Sequence, residues 1–296
     1  MDSFKSGFVA IIGKPNVGKS TILNAFLRQK IAIVSEKPET TRDNIQGILT
    51  TEQAQIIFVD TPGIHRPHLL LGKSMVKKAK SSLLDTDLLL FVIDLASGLR
   101  SEDFLIIDLI RDVGKPAIAV INKIDRVSKK NILPIIDELK NRYGFLDFIP
   151  ISAIEDDNIE LLKGKILENL QAGEVYYPDG QVTDKNEIFQ TSEIIREKVL
   201  SNTRQEVPHS VAVKIEKFSH RQDKDILDIE AIIYVERDSQ KGIVVGKKGS
   251  MTKTIAVSSR QELEEIFKKK VFLQVWVKVL KDWRRDPKMI RFLEME

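Results

Sequence analysis

Five short runs of apolar, β-branched-rich residues punctuate the first half of this chain, at 8–12, 56–59, 88–93, 117–121 and 148–151. They lack the polar alternation of a sheet that faces water, so both of their faces must be covered. Amphipathic stretches near 19–29, 72–84, 102–113, 131–142 and 158–170 fall between them. Strand and helix alternating in this way predict a doubly wound α/β domain with a mostly parallel sheet. Residues 40–51 carry a weaker strand signal and are expected at the sheet edge.

The pattern then changes. Residues 171–183 contain Gly173, Pro178 and Gly180, which read as a break. Beyond it, 187–203 reads as a helix, 210–218 and 227–235 as alternating strands, 251–269 as a helix and 271–279 as a strand. That order is α+β, a different class from the first half. The expected organisation is therefore a domain over 1–173, a linker over 174–186 and a second domain over 187–296.

Charge follows the same division. Residues 1–180 hold 23 Lys and Arg against 24 Asp and Glu, whereas 241–288 hold 13 against 5. A local basic cluster is the electrostatic footprint of a nucleic-acid surface, although a charged run is also what a solvated face looks like. The absence of cysteine rules out disulfides and thiolate zinc sites. The first residues lack a signal-peptide layout, and no apolar run reaches the roughly 18 residues of a spanning helix. The expected location is the cytoplasm, with no transmembrane segment. The basic tail leaves a peripheral contact at the inner face of the cell membrane as an open alternative.

The chemistry concentrates at strand ends. Gly13-Lys14-Pro15-Asn16-Val17-Gly18-Lys19-Ser20, followed by Thr21, closes the first apolar run and opens the first helix. Glycines there let backbone N–H groups cradle phosphates, and the helix N-terminus adds positive potential. Lys19 is placed to reach the β/γ-phosphates and Ser20 to bind Mg²⁺. Asn122-Lys123-Ile124-Asp125 ends the fourth run, on the carboxyl edge where such sheets bind ligands. The Asp125 carboxylate can accept both N–H groups of a guanine edge. Adenine would leave it unpaired at considerable cost. Asp60-Thr61-Pro62-Gly63 ends the second run, with Asp60 toward Mg²⁺ and the Gly63 N–H toward a γ-phosphate. Ser152-Ala153 ends the fifth, where the Ala153 backbone can meet the guanine carbonyl.

These motifs, in this order, resemble the translation-factor-related class of GTPases. The resemblance implies that Thr40-Thr41-Arg42 is the first switch segment, with Thr41 as the Mg²⁺-sensing residue and Thr40 as its rival. Ile64 stands where Ras-like enzymes carry a glutamine, and it cannot orient water by hydrogen bonding. Asn16 matches the position that binds potassium in related GTPases; a turn residue is the other reading. The expected catalytic set is Lys19, Thr41, Gly63 and Asn16.

In the second half, Gly246-Lys247-Lys248-Gly249 follows a hydrophobic approach and precedes a long amphipathic stretch. A GxxG loop in this setting resembles a KH domain of the bacterial type (type II), whose loop clamps an RNA backbone. Trp283, Arg284 and Arg285 in the basic tail are further expected RNA contacts. A phosphate-loop GTPase ending in a KH domain resembles the Era family, over nearly the whole chain. The resemblance implies binding of GTP, GDP and Mg²⁺, association with the ribosomal particle, and recognition of the 3′ end of small-subunit (16S) ribosomal RNA during subunit maturation. A related GTPase acting on another RNA, or a scaffold that holds nucleotide for structure, are the alternatives.

Overall fold

The computed structural model describes residues 3–35, 37, 40–64, 70–204, 207–221 and 225–294, the side chains of 70, 72, 73, 76, 78, 129 and 294 excepted. The chain divides into two compact units, with the main boundary between Asp184 and Lys185.

The first unit carries a six-stranded sheet. Its strands are β1 (Lys5–Gly13), β2 (Ile45–Thr50), β3 (Ala54–Asp60), β4 (Leu88–Asp94), β5 (Ala117–Asn122) and β6 (Phe148–Pro150), in the order β2-β3-β1-β4-β5-β6. All neighbours are parallel except β2, which runs antiparallel to β3 at the edge. All seven residues of β3 and all six of β5 are buried, as continuous apolar runs require.

Helices α1 (Lys19–Leu27), α2 (Leu70–Leu84), α3 (Ser101–Val113), α4 (Ile132–Lys140) and α5 (Ile159–Asn169) cover the sheet. On one face Ala10, Ile12, Leu89, Phe91 and Ile93 pack with Ala79, Leu83, Ile106 and Ile110 from α2 and α3. Elsewhere Phe26 of α1 stacks on Phe58 of β3 at 4.4 Å between ring centroids. The strand order reverses direction at β1, with β3 on one side and β4 on the other. That reversal opens a crevice beyond the carboxyl end of β1, and it is where the phosphate loop lies.

Residues 174–184, expected as a linker, belong to the first unit. They run along the exposed edge of β2, where Ile48 N–H donates to the Val182 carbonyl at 2.9 Å and Gln46 N–H to Asp184 Oδ1 at 2.9 Å. Fully buried Gln55 makes four bonds, three of which fix this segment. Its Oε1 accepts from the N–H groups of Tyr176 and Tyr177, and its Nε2 donates to Tyr177 O and Thr50 Oγ1. No local signal in 171–183 announces this pairing, because the partners lie over a hundred positions away.

The second unit holds α6 (Glu187–Asn202), α7 (Val207–Ser210), β7 (Ala212–Arg221), β8 (Ile226–Val235), α8 (Asp238–Val245), α9 (Ser250–Phe267), β9 (Lys270–Val279) and α10 (Pro287–Glu294). Asn186 caps α6 by accepting from Phe189 N–H at 2.8 Å. The sheet order is β7-β8-β9, with β7 antiparallel to β8 and β9 parallel to it. A parallel pair needs a crossover, and α8 with α9 supplies it. Ile194, Ile195 and Val199 of α6 pack with Ile255 and Leu263 of α9 against Ile229, Ala231 and Ile233 of β8. Among the described residues no helix is long and apolar enough to cross a membrane.

Candidate active site and nucleic-acid interface

The phosphate loop bridges β1 and α1 through two left-handed residues, Asn16 at φ 65° and Gly18 at φ 102°. Gly18 is the N-cap of α1, and a Cβ there would collide with the Asn122 amide. Glycine is thus required twice over, by conformation and by space. Thr21 lies in the first turn of α1, and Val17 is buried in the loop. Lys19 is 5% exposed, and its Nζ donates to the loop carbonyls of Lys14 at 2.9 Å and Gly13 at 3.3 Å. Burial pushes its ammonium down to about 8, with the Asp60 carboxylate pulling the other way.

Ser20, Thr41 and Asp60 meet beside it. Ser20 Oγ donates to Asp60 Oδ2 at 2.6 Å and lies 3.0 Å from Thr41 Oγ1. Thr40 instead donates to the Lys37 carbonyl at 2.6 Å, so the structure brings Thr41 and not its rival into the cluster. Burial raises the Asp60 carboxyl to about 6, against the opposing pulls of Lys19, Ser20 and Thr41. Its Oδ1 is buried without a hydrogen bond. An unsatisfied buried carboxylate oxygen beside two hydroxyls is the donor set a hard cation takes, and it fits Mg²⁺. Ser20, Thr41 and Asp60 would hold such an ion, and it would supply positive charge at the phosphates.

The Asp60-Thr61-Pro62-Gly63 turn is laced to β1 and the loop. Thr61 Oγ1 donates to Ile11 O at 2.9 Å, and Ile64 N–H to Gly13 O at 3.1 Å. A Cβ on Gly63 would lie 2.7 Å from the Pro15 nitrogen, so only glycine lets this turn approach the phosphate loop. Ile64 is 7% exposed and packs into the core with Ala10 and Leu83. It is a packing residue, in keeping with its inability to hold water.

The residues expected at the base converge from the ends of β5 and β6. Buried Asn122 donates to Val17 O at 2.8 Å and accepts from Ala153 N–H at 3.2 Å. Lys123, left-handed at φ 65°, donates to Asn16 O and to Asp94 Oδ2, both at 2.7 Å. Ser152 Oγ donates to Asp125 Oδ1 at 2.6 Å, which orients the carboxylate. Sequence reasoning missed Asp94, and also Asp103, whose Oδ2 pairs with Lys14 Nζ at 2.6 Å. Neither falls in a recognisable motif; both lie in or next to elements whose strand or helix pattern was legible. Missed too was Asn24, whose Oδ1 accepts from the N–H groups of Ile31 and Ala32 and so shapes the stretch that follows α1. Residues 36, 38 and 39, just before Thr40, and 65–69, just after Ile64, lie outside the described residues.

In the second unit the GxxG loop joins α8 to α9. Gly246 has φ 72°, and a Cβ there would sit 2.7 Å from Met251 Cβ. Gly249 is left-handed at φ 78° and is the N-cap of the 18-residue α9. Between them Lys247 and Lys248 are exposed. Two cations next to a long helix's N-terminus give this turn the positive potential that suits a phosphate. The tail corrects one expectation. Trp283 is 2% exposed, and its indole N–H donates to Ser210 O at 2.9 Å, so its ring packs the tail down and is not offered to a base. Arg284 pairs with Glu236 at 2.5 Å; Arg285 remains exposed.

Comparison with known proteins agrees with this geometry. Residues 8–123 match the family model of a 50S ribosome-binding GTPase, and 206–284 that of a KH domain. The chain is 48% identical to GTPase Era of Caldanaerobacter subterraneus subsp. tengcongensis, over 98% of both chains. It is 49% identical to GTPase Era of Thermoanaerobacter sp., over 98% of this chain and 96% of that one. Among solved structures it is similar to Era in complex with MgGDPNP and nucleotides 1506–1542 of 16S ribosomal RNA, at TM-score 0.96 and 44% identity, covering 98% of this chain and 99% of that one. A variant of Aquifex aeolicus Era bound to GDP and AlF4⁻ gives TM-score 0.95 and 44% identity, with the same coverage.

Two outcomes are expected of this site. Asp125→Asn swaps the acceptor that a guanine edge needs for an amide, and competition binding should show preference moving from guanine to xanthine nucleotides. Equal affinity of the parent for ATP and GTP would refute the guanine assignment. The raised Asp60 pKa has a second consequence, since Mg²⁺ needs the carboxylate. Titrating Mg²⁺ into the GDP-bound protein should show affinity falling as pH drops through about 6. In ligand-free protein the sign reverses: a raised folded pKa gives stability at low pH that is lost as pH rises through about 6. Asp60→Asn should flatten both profiles.

Proposed function

This chain belongs to the Era family of GTPases, and from that premise we propose that it is a nucleotide switch that grips the 3′ end of 16S ribosomal RNA during assembly of the small ribosomal subunit. It hydrolyses GTP to GDP and phosphate, with Mg²⁺. The observation that carries the proposal is the presence, in one chain, of a complete guanine-nucleotide site and a basic GxxG loop, with similarity over 98% of its length to an Era structure that holds both kinds of ligand.

The geometry supports the following division of labour. Backbone N–H groups from Asn16 to Ser20 cradle the phosphates, and Lys19 supplies positive charge at the transferring group. Ser20, Thr41 and Asp60 hold the metal, Thr41 reporting the γ-phosphate to the first switch segment. Asn122, Lys123, Asp125, Ser152 and Ala153 hold the base. Because Ile64 is committed to the core, hydrolysis borrows charge from elsewhere, and a potassium ion near Asn16 is the reading we favour. Hydrolysis should then slow in sodium and recover in potassium; equal rates would remove that ion and leave the rest standing. The protein works in the cytoplasm. Its basic tail also suits a peripheral contact with anionic lipid, which co-sedimentation with vesicles would test.

Gly246→Asp and Lys248→Glu both set negative charge against the RNA backbone. Each should weaken binding of a 16S 3′-end oligonucleotide and reduce the salt dependence, because fewer phosphates are neutralised. The Gly246 change should do more harm, as it also crowds the turn at Met251. If the two units form a switch, RNA affinity must differ between GDP and a non-hydrolysable GTP analogue. RNA must then alter nucleotide affinity by the same factor. Fluorescence anisotropy at fixed salt reads both. Identical affinities in the two states, with RNA leaving the hydrolysis rate unchanged, would favour the scaffold alternative.

A further inference from the structure

Lys14 is a second lysine in the phosphate loop, five positions before the one that serves phosphate. Its side chain is turned away from that task. Its Nζ pairs with Asp103 Oδ2 at 2.6 Å, with 11% of the lysine side chain and none of the aspartate side chain exposed. Asp103 is itself locked. It stands in the first turn of α3, where its Oδ2 also accepts the Arg100 N–H at 2.8 Å. Three residues on, α3 begins its buried stripe of Ile106, Ile107 and Ile110. The carbonyl of the same Lys14 accepts the shorter of the two hydrogen bonds that Lys19 Nζ donates to the loop, at 2.9 Å. An unbroken chain of contacts therefore runs from the core of α3, through Asp103 and Lys14, to the phosphate lysine.

We propose that Asp103 is a positioning residue for GTP hydrolysis: it fixes the Lys14 end of the phosphate loop on α3 and so sets where Lys19 meets the transferring phosphate. The physical case rests on what the pair costs. Desolvating two charges is expensive, and an apolar pair of similar volume would commonly be as stable or more so. What an apolar pair cannot supply is a direction. The ammonium–carboxylate contact fixes the side chain of Lys14 and, through it, the orientation of its carbonyl. It also neutralises a charge that would otherwise compete with Lys19 for phosphate. The inference rests on the phosphate-loop assignment, which the parent's GTP turnover in the same assay checks separately.

The test separates positioning from stability. Asp103→Asn and Lys14→Met each strand one buried partner, so each should lower both Tm and kcat. The double variant Lys14→Met/Asp103→Asn leaves no buried charge and keeps an acceptor for the Arg100 N–H, so its Tm should return close to the parent's. Its kcat should nonetheless stay about tenfold or more below the parent's, as misplaced catalytic groups require. GDP affinity should change far less than kcat. Recovery of kcat together with Tm in the double variant would make the pair purely structural and overturn the proposal. Should the double variant not fold, Asp103→Asn decides, with kcat normalised to the folded fraction well below its Tm; a parental value there overturns the proposal equally.

Discussion

Asn122 carries the geometry of the nucleotide site. Its two amide ends reach in opposite directions, one to the carbonyl of Val17 in the phosphate loop and the other to the N–H of Ala153 after β6. Phosphate recognition and base recognition come from chain segments over a hundred residues apart, and this one buried side chain holds them in register. An unsatisfied amide there would cost about 1–3 kcal/mol, so neither loop can drift without penalty. Gly18 belongs to the same constraint, since any side chain on it would displace the Asn122 amide. Lys123 repeats the strategy one residue later, tying Asn16 to Asp94. The loops that face the ligand are thus held by bonds behind them, and the site is shaped before anything binds.

Much of this was legible in the sequence, for a local reason. The buried strands are continuous apolar runs, and each nucleotide motif sits where such a run stops, so pattern and motif confirmed one another. The edge position of β2 was also visible in its weaker signal. What escaped was long-range pairing. Nothing near Asp103 says that it will meet Lys14, and nothing near Gln55 says that it will collect Tyr176 and Tyr177. The choice between Thr40 and Thr41 was open for the same reason, since both hydroxyls have the right chemistry and only the fold turns one toward Ser20.

Trp283 is the instructive failure in the second unit. A tryptophan among arginines in a basic tail has the composition of a stacking platform, but composition does not reveal which way a ring points. Here the indole N–H finds the Ser210 carbonyl in the core. The neighbouring Arg284 is spent on Glu236, so among the expected RNA contacts Arg285 and the two loop lysines are the exposed cations. The GxxG loop was read correctly because its glycines answer to backbone geometry: Gly246 and Gly249 both take positive φ.

The strip of chain at 174–184 bears on how the first unit behaves as a fragment. An uncovered edge strand presents a row of unpaired N–H and C=O groups, a template for other chains to add to and a common route to aggregation. Here the strip occupies that row on β2, bonding at Ile48 and Gln46, and its Tyr177 hydroxyl adds a bond to the Gln46 side chain at 2.6 Å. Cut at 173, where composition suggests a boundary, the domain would lose this cover. It would also strand Gln55 in the interior. Cut after Asp184, the same domain keeps its edge closed and its polar interior satisfied.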